Sequence, residues 1–280
     1  MKLCKANRDG SYSTQATRRR ILDRIANQLH ELGYKHMQAK SLKPKHVEAL
    51  VSLWKNQGLS IGTLKNLLSG LRWWARHVGK PDIIPKDNDA FDIGKRSQVA
   101  KESKAWELKE AQLEKISDPY VRLSLRLQAA FGLRREEAIK FRPNYAIKDD
   151  HIKLKASWTK GGRARTVPIL NGGQRVLLDD VKALAKGGAL IPPDQIYINQ
   201  QNRYDSQVRR AGIKNPHGLR HGYAQRRYEE LTGWKAPVAG GPASKSLTTD
   251  QRALDKGARE TISRELGHSR EQISAKYLGR

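Results

Sequence analysis

Between Pro81 and Ser103 the apolar residues lose all regular spacing, and this break divides the 280-residue chain in two. The stretch PDIIPKDNDAFDIGKRSQVAKES is rich in Pro, Asp, Gly and Lys, the composition of an extended, solvated linker. The apolar share of 38% is low for one large core and fits two small ones, each able to bury its own interior.

Upstream, residues 1–12 read as a flexible polar tail and 13–80 as a helical bundle. Ile21, Leu22, Ile25, Leu29 and Leu32 recur at helical spacing, with Gly33 as a stop. Pro44 opens a second helix through Val47, Leu50, Val51 and Trp54, ended by Gly58. Ser60 can cap a third, whose inner face is Ile61, Leu64, Leu67, Leu68, Leu71, Trp74 and Val78. Lys65, Arg72 and Arg76 lie off that stripe; they could meet phosphates or form a solvated face.

Downstream, a second domain is expected over 104–280. Helical patterns cover 108–116 and 118–131, with Pro119 suited to a first turn. A strand pair follows, His151–Trp158 and Arg165–Ile169, joined by the Gly-rich turn TKGGRA. Helices resume near 172–186, 203–211 and from Pro216. A Gly-, Pro- and Ser-rich loop spans 233–250, before helices near 251–265 and 270–278.

Lys and Arg number 54 against 28 Asp and Glu, a formal net charge of +26. Such an excess costs self-repulsion on folding unless a polyanion offsets it, so nucleic acid leads and an anionic membrane surface comes second. No run of 18 apolar residues exists to span a bilayer. The first residues carry no apolar signal-peptide core, and the lone cysteine, Cys4, cannot form an intrachain disulfide or a multi-cysteine zinc site. A reduced, cytoplasmic, nucleoid-associated protein is expected.

Four clusters could carry chemistry. In GLRREE, Arg134 and Glu137 share a helical face, as an oriented pair or an ordinary surface ion pair. Lys160 sits beside Gly161 and Gly162 on the hairpin, either a mobile tip that can enter a groove or a plain basic turn. In HGLRH, positions 217, 220 and 221 fall on one side of a helix whose start favours an anion. His217 and His221 also have metal-ligand spacing, but Gly218 stands where HExxH needs glutamate. Last, Leu266-Gly267-His268 precedes Tyr277 by nine positions, where packing beside Ile273 and Leu278 is the plain alternative.

Taken in order, these clusters resemble the tyrosine recombinase (phage integrase) family. Its pattern is an Arg in G-x-R-x-x-E, a hairpin Lys, H-x-x-R, then L-G-H and a Tyr. The hairpin's trailing RTVPI is similar too. The resemblance covers about 106–280, and the helical first part looks like the family's core-DNA-binding domain. It implies a mainly α fold with a small β-hairpin (α+β), and metal-independent site-specific recombination through a 3′-phosphotyrosyl bond, with no cofactor. Arg134, Arg220, His217 and His268 would stabilise the phosphate's developing charge, guanidiniums suiting that task better than ammonium groups. Tyr277 would attack, with His217 as a proton acceptor, Lys160 would protonate the leaving 5′-oxygen, and Glu137 would hold the Arg134 side. The implied partner is double-stranded DNA with specific core sites, bound as a dimer on each site and a tetramer in synapsis, as in integrases of mobile elements.

Two features depart from the pattern. Only Leu278, Gly279 and Arg280 follow Tyr277, which predicts a loosely held nucleophile. The segment 229–262 is long, and reads as an insertion that could supply subunit contacts. A catalytically silent DNA-binding protein would not need Tyr277; a type IB topoisomerase would share the chemistry without pairing sites, and the compact helical first domain favours recombination. For any of these the charge makes one prediction. DNA affinity should fall steeply and nearly linearly, as log K against log salt, because bound phosphates release counterions. A salt-insensitive affinity between 50 and about 300 mM would contradict it.

Overall fold

The computed structural model describes residues 2–280. The chain forms two compact units, Met1–Ser97 and Gln98–Arg280, each with its own core. The first is built from α1 (Lys2–Ala6), α2 (Tyr12–Glu31), α3 (Pro44–Asn56) and α4 (Ile61–His77). The helical stripes meet in its core: Leu22, Ile25 and Leu29 of α2, Leu50 and Trp54 of α3, and Leu67, Leu68 and Leu71 of α4. Ser11 and Ser60 cap α2 and α4 by accepting the Thr14 and Thr63 amides. Trp54, wholly enclosed, satisfies its indole N–H on Gln28 at 2.8 Å. Gly70 is needed for the close approach of α2, since a Cβ there would lie 2.5 Å from Ile21 Cγ2.

Residues 2–12 are not the flexible tail that the polarity of 1–12 suggests. Leu3 and Cys4 of α1 pack against the core. Asp9 accepts two bonds from the Arg18 guanidinium and the indole N–H of Trp73. Trp73 is buried although it lies off the inner stripe of α4, because Asp9 takes its indole N–H and the Arg18 guanidinium of α2 lies 4.4 Å over its ring. The linker also divides differently. Ile84 and Ile93 are buried in the first core, and the unit boundary falls after Ser97. Residues from Gln98 onward belong to the second unit, ahead of the expected start at Lys104.

The second unit contains α5 (Glu110–Leu113), α6 (Pro119–Phe131), α7 (Arg135–Ile139), α8 (Pro143–Ala146), β1 (His151–Leu154), β2 (Arg165–Pro168), α9 (Gly172–Ala185), α10 (Tyr197–Arg210), α11 (Gly218–Thr232), α12 (Thr249–Glu265) and α13 (Ala275–Leu278). The strands form one antiparallel hairpin, Ile152 opposite Val167 and Leu154 opposite Arg165. β1 ends at Leu154 rather than Trp158 because β2 offers no partner beyond Arg165; residues 156–158 turn into a 3-10 helix that buries Trp158. The expected helix at 108–116 shrinks to α5, and α10 begins earlier than expected, at Tyr197. α11 runs between two apolar clusters, with Leu219 in one and Tyr223, Ala224 and Tyr228 in the other. That burial on several sides makes it the unit's internal strut. Among the described residues no helix is long and apolar enough to cross a membrane.

Candidate active site

α6 stops at Gly132, whose φ of 61° is left-handed and whose missing Cβ leaves room for the Tyr223 ring, 2.6 Å from where that atom would be. The chain then turns through buried Leu133, and Arg134 caps α7. Glu137, closed to solvent, reaches back to the Arg134 amide at 2.7 Å and the Arg134 guanidinium at 2.8 Å. Its two oxygens also take a fork from Arg165 on β2, at 2.8 and 2.6 Å. One carboxylate therefore fastens α7 to the hairpin and orients Arg134, whose side chain is 20% exposed.

Arg220 lies one turn into α11 and is wholly buried. Its terminal nitrogens donate to the carbonyls of Gly132 and Leu266, so the ends of α6 and α12 are tied to one guanidinium. Its Nε lies 3.3 Å from the Tyr277 hydroxyl. The same hydroxyl is 3.3 Å from His268 Nε2, which in turn lies 3.5 Å from an Arg220 nitrogen. A nitrogen facing an arginine donor has to accept, so the network assigns His268 the tautomer with its proton on Nδ1. Tyr277 then accepts from Arg220 and donates to His268. His217 stands at the start of α11, with its ring centroid 6.5 Å from that of Tyr277; His221 packs closer, at 4.6 Å. By distance, His268 rather than His217 is the imidazole in reach of the phenol.

The Tyr277 segment is well held, where a loose one was expected. Tyr277 is 6% exposed, Leu278 and Ser274 are closed to solvent, and Arg259 of α12 donates to the Gly279 carbonyl at 2.9 Å. Val238 packs on Gly279. Both contacts come from the long 229–262 segment, which here folds back on its own chain.

Lys160 is exposed on the hairpin turn, yet its charge reaches His217 and helps to lower its pKa. In the first unit Arg76 is exposed and Lys65 half-buried, whereas Arg72 is already engaged: its guanidinium donates to the Pro85 carbonyl at 3.0 and 2.7 Å. Arg72 thus has a partner within its own chain, unlike a side chain wholly free for the phosphate face expected of it. Sequence reasoning missed Arg165. Alternation with buried Val167, two residues on, marks it as inward-facing, and an inward arginine on a hairpin needs a carboxylate.

The electrostatics follow from three guanidiniums gathered around one carboxylate. Burial alone would raise the Glu137 pKa, but the Arg165 hydrogen bonds and the charges of Arg165, Arg134 and Arg220 bring it down to about 2. Burial lowers Arg220 to about 10, which leaves it charged at neutral pH. His268 falls to about 3, from burial first and then from Arg220, Arg134 and Arg165. His221 falls to about 4, from burial and then His217, Lys104 and Arg220. The site thus keeps its imidazoles neutral beside excess fixed positive charge, an arrangement suited to an oxyanion and a hydroxyl that attacks it. Among the described residues no three His, Cys, Asp or Glu groups gather as a metal cluster.

Two family models match, a phage integrase N-terminal domain over residues 1–84 and an integrase domain over 93–226. The chain belongs to the tyrosine recombinase (phage integrase) family. Its fold is similar to that of XerH site-specific recombinase bound to a palindromic difH substrate, at TM-score 0.61 and 18% identity over 100% of this chain and 80% of that one. It is similar as well to a lambda integrase (75–356) dimer bound to a COC′ core site, at 0.59 and 16% over 98% and 90%. The Tn1549 transposon integrase in complex with transposon right end DNA aligns at 0.56 and 14% over 97% and 90%. No curated protein matches the sequence.

The depressed histidines predict an acid-sensitive fold. His268 and His221 titrate near 6.5 when unfolded and far lower when folded, so the stability they contribute is complete above about pH 6.5 and is lost as pH falls toward 3–4. Glu137 acts only lower, between 4.5 and about 2, so the window from 6.5 to 5 isolates the imidazoles. Urea unfolding should lose about 1–2 kcal/mol per pH unit there, less than the two-proton limit because both rings are only partly shielded. Replacing both by asparagine should reduce that slope, leaving the part due to His217 and His46, which burial also lowers; an unchanged slope would contradict the assignment.

Proposed function

We propose that this protein is a site-specific DNA recombinase that cleaves and rejoins strands through a 3′-phosphotyrosyl intermediate on Tyr277. The observation that carries this reading is the Tyr277 hydroxyl, 3.3 Å from both Arg220 Nε and His268 Nε2. A phenol so placed has a cation to stabilise its oxyanion and a neutral imidazole to accept its proton. The DNA supplies the missing electrophile. Arg134, partly exposed, meets the scissile phosphate first; Arg220 is closed off by Tyr277 and engages it as the phenol moves onto phosphorus.

The Tyr277 oxygen forms the new bond to phosphorus, and the bond to the 5′-oxygen breaks. The phenol proton passes to His268, whose basicity the arriving anion restores. Lys160 gives a proton to the departing 5′-oxygen, its hairpin closing over the phosphate. Arg134 and Arg220 hold the non-bridging oxygens with fixed forks that are already in place before charge develops. His217 donates a further hydrogen bond. A 5′-hydroxyl from a second duplex then reverses the sequence, so the linkage energy is conserved and no nucleotide is consumed.

Double-stranded DNA with specific core sites is the partner, engaged by dimers at each site and a tetramer in synapsis. Support comes from the net charge of +26 and from relatives of the same fold, among them a lambda integrase tetramer bound to a Holliday junction. Lys65 and Arg76 are the first-unit residues best placed to touch phosphates, with Arg72 secondary. The test uses nicked duplexes taken from DNA flanking the gene. Tyr277→Phe should bind as wild type and form no covalent adduct; an undiminished adduct would overturn the reading. Arg220→Ala should slow cleavage by about a hundredfold or more, with Arg220→Lys recovering only part, since a point charge cannot replace the fork.

A further inference from the structure

α11 carries two glycines in its first turns, Gly218 at its first position and Gly222 one turn on, flanking Arg220. A glycine inside a helix weakens it by roughly 1 kcal/mol relative to alanine, so Gly222 in particular calls for a reason. The reason is a segment of extended chain laid across them. A Cβ on Gly218 would come within 2.6 Å of the Lys104 carbonyl and 2.8 Å of Trp106 Cβ; one on Gly222 would come within 3.1 Å of the Trp106 carbonyl. The Trp106 amide donates to the Gly218 carbonyl at 3.0 Å. Residues 100–106 therefore run in a groove beside the helix that carries His217 and Arg220.

The same segment reaches the nucleophile twice. The Ala100 amide donates to the Ala275 carbonyl at 3.0 Å, at the first residue of α13. The Ser103 hydroxyl donates to Gln225 Oε1 at 3.0 Å, and Gln225 Nε2 donates to the Tyr277 carbonyl at 3.0 Å. The orientation of this amide is forced. A backbone carbonyl can only accept, so the NH2 end of Gln225 has to face Tyr277 and its oxygen has to face Ser103. The Ser103 oxygen, having donated, accepts the Ala105 amide at 3.2 Å. Each member of the relay thus has its partners, and Gln225 sits 9% exposed between them.

We propose that Gln225 and Ser103 are positioning residues for the nucleophile: the strap of residues 100–106 sets the depth and register of α13, and so the place of the Tyr277 hydroxyl against Arg220. This rests on the reading of Tyr277 as nucleophile, but its first consequence concerns α13 alone and needs no DNA. Neither residue touches the reacting atoms. They act through the Tyr277 main chain, and strain in the strap is felt directly at the nucleophile.

The test is made on the full chain with Gln225→Glu, nearly identical in shape but presenting oxygen to the Tyr277 carbonyl, and with the milder Ser103→Ala and Ser103→Thr. In DNA-free protein, amide exchange in 275–280 should quicken by about tenfold in Gln225→Glu and about fivefold in Ser103→Ala, the loss of one or two net hydrogen bonds, while 119–131 stays unchanged. On nicked duplex at saturating protein, single-turnover cleavage should fall by similar or larger factors with Kd unaltered, and Ser103→Thr should restore both readouts. Unchanged exchange in 275–280 for Ser103→Ala overturns the proposal, as does a weakened Kd with a normal cleavage rate. If Gln225→Glu does not fold, the two Ser103 variants decide. A wild type that forms no adduct defeats the nucleophile reading, while the exchange comparison still judges the strap by itself.

Discussion

A buried carboxylate, Glu137, accepts hydrogen bonds from the Arg134 amide, the Arg134 guanidinium and both terminal nitrogens of Arg165. Most of the site's geometry depends on it. It starts α7, turns Arg134 toward solvent, and locks the hairpin that bears Lys160 to the helical body. Arg165 carries the linkage onward, donating from Nε to the Glu265 carbonyl at 2.8 Å, beside the Leu266 carbonyl that Arg220 grips. Removing one partner from such a buried pair costs about 3–5 kcal/mol, chiefly because the other charge is stranded. The network is thus a weak source of net stability and a strong source of geometry.

The cluster is electrostatically unbalanced by construction. Three guanidiniums gather around one carboxylate, and the nearby imidazoles respond by staying neutral, with pKa values of about 3 for His268 and about 4 for His221. A bound phosphate relieves that imbalance, so binding and folding favour the same arrangement of side chains. Preorganised charge of this kind acts on the transition state without having to rearrange during the reaction. It also explains why the second unit devotes buried residues such as Arg220 to backbone carbonyls: two anchored terminal nitrogens fix the direction of the third, Nε, toward the Tyr277 hydroxyl.

What was legible in the sequence was whatever is local. The helical stripes of α2, α3 and α4 are repeats at fixed spacing, and the buried residues follow them closely. Arg134 with Glu137, and His217 with Arg220, lie within single turns, so short motifs expose them. Their gathering around Tyr277 is long-range and was reached only through the order of the motifs. What stayed hidden depends on packing between distant segments. Trp73 and Asp9, Arg165 and Glu137, and Ser103 and Gln225 are pairs separated by 64, 28 and 122 positions. Polarity misled at residues 2–12, where polar groups serve internal hydrogen bonds rather than solvent, and Arg72 likewise spends part of its guanidinium on the Pro85 carbonyl. The loose Tyr277 segment that was expected is instead pinned by Arg259 and Val238, contacts made across 20 positions or more.

The most direct measurement of the central claim is the site of the covalent bond. After cleavage of a nicked duplex, nuclease and trypsin digestion should leave the peptide Tyr277–Arg280, released by cutting after Lys276, bearing a 3′-linked nucleotide on the tyrosine. Fragmentation by mass spectrometry should place the added phosphoryl group on Tyr277. A nucleotide found on any other residue, or efficient cleavage with no protein-linked nucleotide at all, would contradict the account.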